Sequence, residues 1–505
     1  MSKPQPETRA PAAPLDHAAI RTIMVGILLA MFLSALEQTI VAPALPTIGR
    51  TLADVENLSW VVTAYLLAAT AATPLFGKLS DIHGRRRMML VAVVIFLAGS
   101  AACALAPNMP ALIAARALQG IGGGGILPLA HTVIGDMVTP RERARYQSYT
   151  SMMFMVASIV GPLLGGVLTD YLHWTMIFWI NLPLGIFALW MTDRALRKLP
   201  RNDRPHKLDV LGGALMVGAA LTLMLAMSWG GQTWGGTRYG WASWPILTLL
   251  AGSCALWLAF ALRVWTAPEP FIPLSVLREP VVGAVTIAGF CSVGTIIGLS
   301  IFLPLYFELV LGFSPSGSGT ALIVFLAAAT LGSFAAGRLM VLTVHYKRVP
   351  VAGLVLGLVM LAIFALKPAG LSLIEVCVLL LIGGTGRGVM YPVTTTIVQN
   401  AVQPHQLGTA TGALNFARQL GGAIIVAAFG TILIGGIDSG GHGLTLEMLR
   451  GGAAQAGGDF AALFRWVFAA GAGFLALGLI AVLAIEERPL RGPQQEAGAA
   501  PLAAE

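Results

Sequence analysis

Polar and apolar positions in this chain alternate on the scale of whole helices. Runs of 18 or more apolar residues recur from end to end, separated by short polar breaks, and a run of that length reads as a membrane-spanning helix. Fourteen such spans are predicted, at about 22–43, 60–79, 88–106, 110–132, 148–169, 175–191, 210–229, 245–264, 281–311, 318–342, 350–367, 372–398, 407–435 and 463–484. The first 21 residues are polar and proline-rich, and the first apolar run is long enough to span, so no cleavable signal is expected.

Composition supports this reading. The chain has 505 residues, 56% hydrophobic and 11% charged, where a soluble domain carries about 25% charged. The net charge of +8 would suggest a nucleic-acid partner in a soluble protein. Its distribution argues otherwise: 23 of the 31 Lys and Arg fall on the face that holds both termini, and 5 on the opposite face or its helix ends. This positive-inside bias predicts cytoplasmic termini, an even span count and a bacterial inner (cytoplasmic) membrane location, with no nucleic-acid partner. Trp229, Trp234, Trp241 and Trp244 crowd one outer turn, as an interfacial belt would. The four cysteines all lie in apolar runs and suggest packing, not disulfides or a metal site.

The chain also repeats itself. "GGGGILPLAHTVIGDMVTPRERA" and "TGRGVMYPVTTTIVQNAVQPHQLG" align at an offset of 264, placing Gly122, Gly124, Pro128, Asp136 and Pro140 on Gly386, Gly388, Pro392, Asn400 and Pro404. A weaker echo links "GKLSDIHGRRR" (77–87) to "GRLMVLTVHYKR" (337–348), which lacks the Asp and the second Gly. The offset exceeds six helices by about two spans, so a helix pair is inserted between duplicated halves, a construction common in transporters. The expected organisation is a cytoplasmic N-tail (1–21), a six-helix bundle (22–191), a basic cytoplasmic linker (192–209), an inserted pair (210–265), a second six-helix bundle (281–484) and a cytoplasmic C-tail (485–505). The linker's charges suit a solvated connection with weak attraction to lipid headgroups.

Chemistry enters with the charges inside the spans. Glu37 lies about six residues before Pro43, read as the outer end of span 1, and Arg116 lies six residues into span 4. Each is therefore roughly 9 Å deep. Gln119 shares the Arg116 face. A charge at the bilayer centre costs about 2.5–3.5 kcal/mol on insertion scales, and intramembrane ionisable residues mark interior functional sites. Glu37 and Arg116 are expected to meet in a cavity between the halves, where Glu37 exchanges a proton; a static ion pair is the alternative. Arg387 and Arg418 also lie inside spans. They either pair with backbone carbonyls or snorkel, or they line a second-half cavity that meets an anionic or zwitterionic cargo. Gln38, Asn415 and Gln419 are further cavity candidates. Asn181 could equally satisfy neighbouring helices, His131 is expected to pack at a helix end, and Glu308 and Glu375 are expected at the outer interface. Met152, Met153 and Met155 offer adaptable apolar surface or ordinary packing.

In the loop "GKLSDIHGRRRMML", Gly77 permits close helix approach and Gly84 a tight turn, while Asp81 can pair with Arg85 or cap another helix. In "VGPLLGG", Gly161 and Gly165 make a GxxxG spacing, Pro162 removes a donor, and the bent helix is expected to seal against a partner at the bundle centre. "GIGGGG" and "GGTGRG" lack the strand-then-helix context of a phosphate loop, and GxxxxGK[ST] is absent, so ATP is not expected as the direct energy source.

These motifs carry a family resemblance. "GKLSDIHGRRRMML" resembles the loop signature between spans 2 and 3 of the major facilitator superfamily, and "IAARALQGIGGGG" is similar to its span-4 motif. "VGPLLGG", with Gly161, Pro162, Gly165 and Gly166, looks like the span-5 motif of the superfamily's antiporters. "LEQTIVAPALP", "HWTMIFWINLPLG" and "FLPLYFELVLGFSP" resemble motifs of its fourteen-span drug:proton antiporters, with Glu37, Thr175 and Glu308 where Asp, Arg and Gln are usual. The resemblance implies an all-α membrane protein of two six-helix bundles plus two inserted helices. It implies export of amphipathic compounds driven by proton influx. It also implies a conformational latch at Gly77, Asp81, Gly84, Arg85 and Asp136. The expected partners are an amphipathic small molecule, protons and the lipid bilayer; an adaptor could touch the outer stretch 436–462, where a Gly-rich loop with a short surface helix is the simpler reading. No enzyme activity, cofactor or metal is expected, since no nucleophile–base set or metal-ligand spacing occurs. The alternatives are a lipid, siderophore or other metabolite as exported cargo, an imported nutrient, and, in a different class, a non-transporting receptor or assembly protein.

Overall fold

The computed structural model describes residues 17–54, 57–138, 140–197, 209–230, 233–234, 237–313, 315–342, 346–439, 457–485 and 487. Among them are fourteen helices long and apolar enough to cross a bilayer. They are α1 (His17–Thr51), α2 (Leu58–His83), α3 (Arg85–Ala104), α4 (Met109–Met137), α5 (Pro140–Tyr171) and α6 (Met176–Leu196), then α7 (Val210–Trp229) and α8 (Trp244–Thr266), then α9 (Pro280–Leu309), α10 (Pro315–Leu342), α11 (Arg348–Leu366), α12 (Leu373–Ala401), α13 (Leu407–Ser439) and α14 (Gly457–Leu483). The N- and C-tails beyond these bounds, residues 198–208 of the basic linker and residues 440–456 of the outer stretch lie outside the described residues.

Helices are the form in which an apolar segment satisfies its own backbone in lipid, and this tolerates interior prolines. Pro43 does not end α1, as the sequence suggested; the helix runs through Pro43 and Pro46 to Thr51. In α4, Pro128 cannot supply the N–H that would bond the Gly124 carbonyl. The Thr73 hydroxyl of α2 donates to that carbonyl instead, at 2.9 Å, and α4 stays continuous. In α12 the equivalent Pro392 follows a break at Val389, between helical segments Leu373–Gly388 and Met390–Ala401.

The packing shows the duplication. α4 lies against α2 and α3, and α12 against α10 and α11. Glycines set both approaches: a Cβ on Gly124 would stand 2.1 Å from the Ala69 carbonyl oxygen, and one on Gly388 1.6 Å from that of Ala329. α1 pairs with α5, and α9 with α13. The halves meet along two crossings, α2 with α13 and α5 with α10. The inserted α7 packs on α8 and also on α2 and α13, so the pair flanks one of these crossings. A two-residue antiparallel ladder, Thr233–Trp234 with Thr237–Arg238, joins α7 to α8 and is the one β pairing among the described residues. Exposed side chains such as Leu163, Ile186, Leu258 and Ile480 suit contact with lipid tails.

Candidate functional site

Glu37 of α1 is fully buried and accepts hydrogen bonds from Arg116 of α4 and from the side-chain amide of Asn181 in α6. Arg116 also donates from Nε to the Val61 carbonyl at 2.8 Å and from Nη1 to Gln119 Oε1 at 2.6 Å. Its guanidinium carbon stands 4.5 Å from the centroid of the Tyr65 ring, within cation–π range. Ser100 closes the network, accepting from Gln119 Nε2 at 2.7 Å and from Asn181 Nδ2 at 3.2 Å. Charge-assisted bonds of this kind are the strong ones, and together they leave each charge well solvated by protein.

The acid and base predicted from depth alone thus meet, but their setting differs from the expectation. They lie inside the first half, not in a cavity between halves. Tyr65, 2% exposed, stands between the Arg116 guanidinium and the central cavity that it lines. Gln119, expected in the cavity, is fully buried behind it; its amide is consumed by Arg116 and Ser100. Asn181, Tyr65 and Ser100 are neutral, and sequence reasoning missed them as parts of one site. Only Asn181 had a pointer, the polar residue in "FWINLPLG".

The cavity has a volume of about 1100 Å³ and takes walls from both halves. Gln38, Arg387, Asn415 and Gln419 line it, as does Arg418. Gln419 bridges the halves, accepting from the Thr70 hydroxyl at 2.8 Å and donating to Thr73 at 3.0 Å. Arg418 donates to the Tyr391 carbonyl at 3.0 Å, to Thr394 and Thr395, and to Asn415 Oδ1 at 3.0 Å, with its guanidinium 4.1 Å from the Tyr391 ring centroid. Arg387 is 1% exposed and its three guanidinium nitrogens have no hydrogen-bond partner among the described residues.

Two further expectations shift. Met155 lines the cavity, while Met153 is buried and Met152 exposed. The tryptophans do not form one belt. Trp244 is 78% exposed, but Trp241 lines the cavity and packs against Gly230, and Trp229 stacks edge-on to Trp60 at 6.0 Å. With Met224 and Met227, the inserted pair therefore forms part of the cavity wall. His131 is buried inside α4, six residues from its end, with its ring 5.5 Å from that of Tyr391. Glu375 forms a capping box with Ser372 at the start of α12.

The end of the bundle that holds α1's first residue is closed. Gly77 approaches Gly408 so tightly that a Cβ would stand 2.6 Å from the Gly408 carbonyl oxygen. Asp81 then caps α13 across the halves: Oδ1 accepts from the Gly408 N–H at 3.0 Å, and Oδ2 from the Thr409 N–H at 2.7 Å and hydroxyl at 2.6 Å. A carboxylate at a helix N-terminus is favoured by unsatisfied N–H groups and by the helix dipole. Arg85 binds Asp81 at 2.5 Å and Asp136 at 2.8 Å, and Gly84 supplies the turn with φ +86°. At the other crossing, Ser148 donates to the Ser333 carbonyl at 2.6 Å and Ser333 bonds Ser151 at 2.7 Å.

The "VGPLLGG" stretch packs differently from its expected central seal. Gly161 and Gly165 fit against Thr39 and Ile40 of α1, within the first half. Pro162 is exposed and Gly166 has nothing within 4 Å of an added Cβ, so neither makes a seal.

Comparison with known proteins fits this architecture. Residues 27–426 match the Major Facilitator Superfamily model. Multidrug transporter protein MdtP of Bacillus subtilis (strain 168) is 33% identical over 417 residues, 82% of this chain and 75% of that protein. Multidrug resistance protein 3 of the same organism is 31% identical, over 82% of this chain and 80% of its own. The solved human organic anion transporter MFSD10 (TETRAN) superposes with a TM-score of 0.63 at 18% identity, covering 92% of this chain and 99% of its own, a likeness of fold alone. Two six-helix halves around a central cavity are the construction of transporters built from internal repeats. The chain belongs to the Major Facilitator Superfamily and is a multi-pass membrane transporter of a small molecule, not an enzyme.

Proposed function

We propose that this protein exports amphipathic compounds by proton antiport, through alternating access of the central cavity. The observation that carries the reading is the fully buried Glu37, held by Arg116 and Asn181 and adjacent in sequence to cavity-lining Gln38. Protonating Glu37 removes the attraction to Arg116; tilting of α1 or displacement of Tyr65 then connects the site with the cavity. Proton loading and rearrangement of the halves become one event. The apolar cavity suits loose recognition, and the relatives named for multidrug transport favour drug-like cargo.

The charge bias of the connecting segments supports a cytoplasmic position for both termini and an inner-membrane location. The latched end is then cytoplasmic, and the cavity, whose lining reaches Trp241, Gly430 and Leu433, faces outward. The latch at Gly77, Asp81, Gly84, Arg85 and Asp136 holds that state.

The test is substrate-dependent proton movement in proteoliposomes. Glu37→Gln keeps shape and abolishes titration, so coupling is expected to vanish while substrate exchange across the bilayer persists. Proton-coupled flux at the original rate in this variant would end the scheme, as would a wild-type protein that binds compounds but moves neither them nor protons.

A further inference from the structure

The cavity wall carries donors without acceptors. Among the described residues that line it there is no Asp or Glu; its charged members are Arg387 and Arg418. Five nitrogens of the second half are buried there without a hydrogen-bond partner: Nε, Nη1 and Nη2 of Arg387, Nε of Arg418 and Nδ2 of Asn415. The first half contributes one unpartnered cavity atom, the Tyr65 hydroxyl, which donates as well as accepts. Buried polar groups are ordinarily paired, and each exception asks for an explanation. A buried guanidinium asks for one most, since its charge is never shed.

Arg387 is packed but has no polar company. Its guanidinium carbon lies 5.5 Å from the Phe325 ring centroid, and its Nε is 3.4 Å from where a Cβ on Gly357 would stand. Arg418, by contrast, is anchored by Tyr391, Thr394, Thr395 and Asn415. A set of only donors, one fixed and one free, selects a ligand of only acceptors. The surrounding wall is apolar, with Met224, Met227, Ile297, Phe302 and Leu326.

Resting on the transport reading above, we propose that the cargo is an amphipathic monoanion, an apolar body bearing a carboxylate or an equivalent oxyanion that binds at Arg387, Arg418 and Asn415. The guanidinium fork meets two oxygens of such a headgroup at once. A lipophilic cation finds no carboxylate on this wall and meets two positive charges.

The test uses the full-length protein in phosphatidylcholine nanodiscs, with quenching of tryptophan fluorescence as readout, since Trp241 lines the cavity. The probes are 2-naphthoate, neutral 2-naphthamide and (2-naphthylmethyl)trimethylammonium. Naphthoate is expected to bind tightest. Arg387→Gln is expected to lower the naphthoate-to-naphthamide affinity ratio by at least about tenfold, with partial recovery in Arg387→Lys. Should Arg387→Gln fail to fold, Asn415→Asp puts a carboxylate beside Arg418, halves the net positive charge of the site and is expected to lower the naphthoate-to-naphthamide ratio in the same direction. A wild-type preference for the ammonium, or an unchanged ratio in the variants, overturns the proposal. Suppression of naphthoate binding by added phosphatidylglycerol would assign the donors to a lipid headgroup and overturn the cargo reading; undiminished binding supports it. No proton is read here. Loss of coupling with naphthoate preference intact therefore counts against the antiport scheme alone, and intact coupling without that preference counts against this inference alone.

Discussion

Each half places a cation against an aromatic ring, from non-equivalent positions on the duplicated helix, and the two cations are treated oppositely. In the first half Gly123 leaves space for the Tyr65 hydroxyl, to which an added Cβ would come within 2.3 Å, and Arg116 stacks on that ring from behind with Glu37 as counter-ion. At the offset of 264, Gly123 becomes Arg387, whose guanidinium faces Phe325 with no counter-ion among the described residues. Arg116 becomes the buried Leu380. One half has closed its electrostatics within the protein, and the other has left them to be completed from outside. Duplication supplied the same helix geometry twice; on the proposed reading, the sealed site of the first half serves the proton and the unpaired donors of the second serve the cargo.

The largest effect that follows is a difference in stability between two Arg→Leu changes. Arg116→Leu strands Glu37 in an apolar bundle and is expected to destabilise by about 3–5 kcal/mol, the cost of breaking a buried pair from one side. Arg387→Leu removes a charge that has no partner to strand, and is expected to be neutral or stabilising. Unfolding midpoints of the two variants in identical nanodiscs decide it. Equal losses would mean that Arg387 has a counter-ion in the resting protein and that the contrast is false.

The halves differ again at the closed end. Asp81 caps α13 in the first copy of the loop, and the second copy, 337–348, carries no acid at that place. Closure is therefore concentrated at one crossing. Asp81→Asn weakens several charge-assisted bonds and is expected to cost the closed state about 1.5–3 kcal/mol, roughly a ten- to hundredfold shift toward opening at this end. Labelling of single cysteines placed on the closed face measures the shift, and protection equal to wild type would show that the latch is incidental.

Packing glycines sharpen the comparison from the other side, because here the halves should agree. Gly124→Ala and Gly388→Ala each drive a methyl into a neighbouring carbonyl, and each is expected to cost about 1–3 kcal/mol. Gly166→Ala, facing open space, is expected to stay within about 0.5 kcal/mol of wild type. Thermal midpoints check all three. A much milder loss at Gly388 would tie the break at Val389 to slack in α12, and with it the freedom of Arg387.

These glycines also mark what could be read from sequence. Counting from Pro43 misplaced the outer end of α1, which runs on to Thr51, but the charges inside the spans still marked Glu37 and Arg116 as partners, and the repeat of Gly122 and Gly124 in Gly386 and Gly388 carried the duplication into space. Their success has a common cause: a buried charge or a missing side chain is too costly to be accidental in lipid. Neutral groups leave no such trace. Asn181 stood out only as a polar residue that could satisfy neighbouring helices, and nothing in Tyr65 or Ser100 announces that they join it around one ion pair. Which face Gln119 presents depends on helix rotation, and a helix turned inward hid it from the cavity. Nor could the run 210–265 reveal that Trp241 lines the cavity, because that depends on where an inserted pair docks.

The smallest expected effect on closure is at the α5–α10 crossing, and it bears on where closure resides. Ser148 donates to the backbone carbonyl of Ser333, a bond that survives any side-chain change at 333. Ser333→Ala removes only the hydroxyl contact with Ser151. One neutral hydrogen bond contributes about 0.5–1.5 kcal/mol, so the closed-to-open ratio should fall about two- to twelvefold, read as spin-label distances across this end. The α2–α13 crossing meanwhile keeps Asp81 on α13 and Gln419 between Thr70 and Thr73. If Ser333→Ala opened the end as far as Asp81→Asn, closure would be shared equally by the two crossings, and the loss of the acid from the second copy of the loop would have no mechanical consequence. A small shift leaves the division standing: one crossing latches, and the other is free to slide as the halves rock.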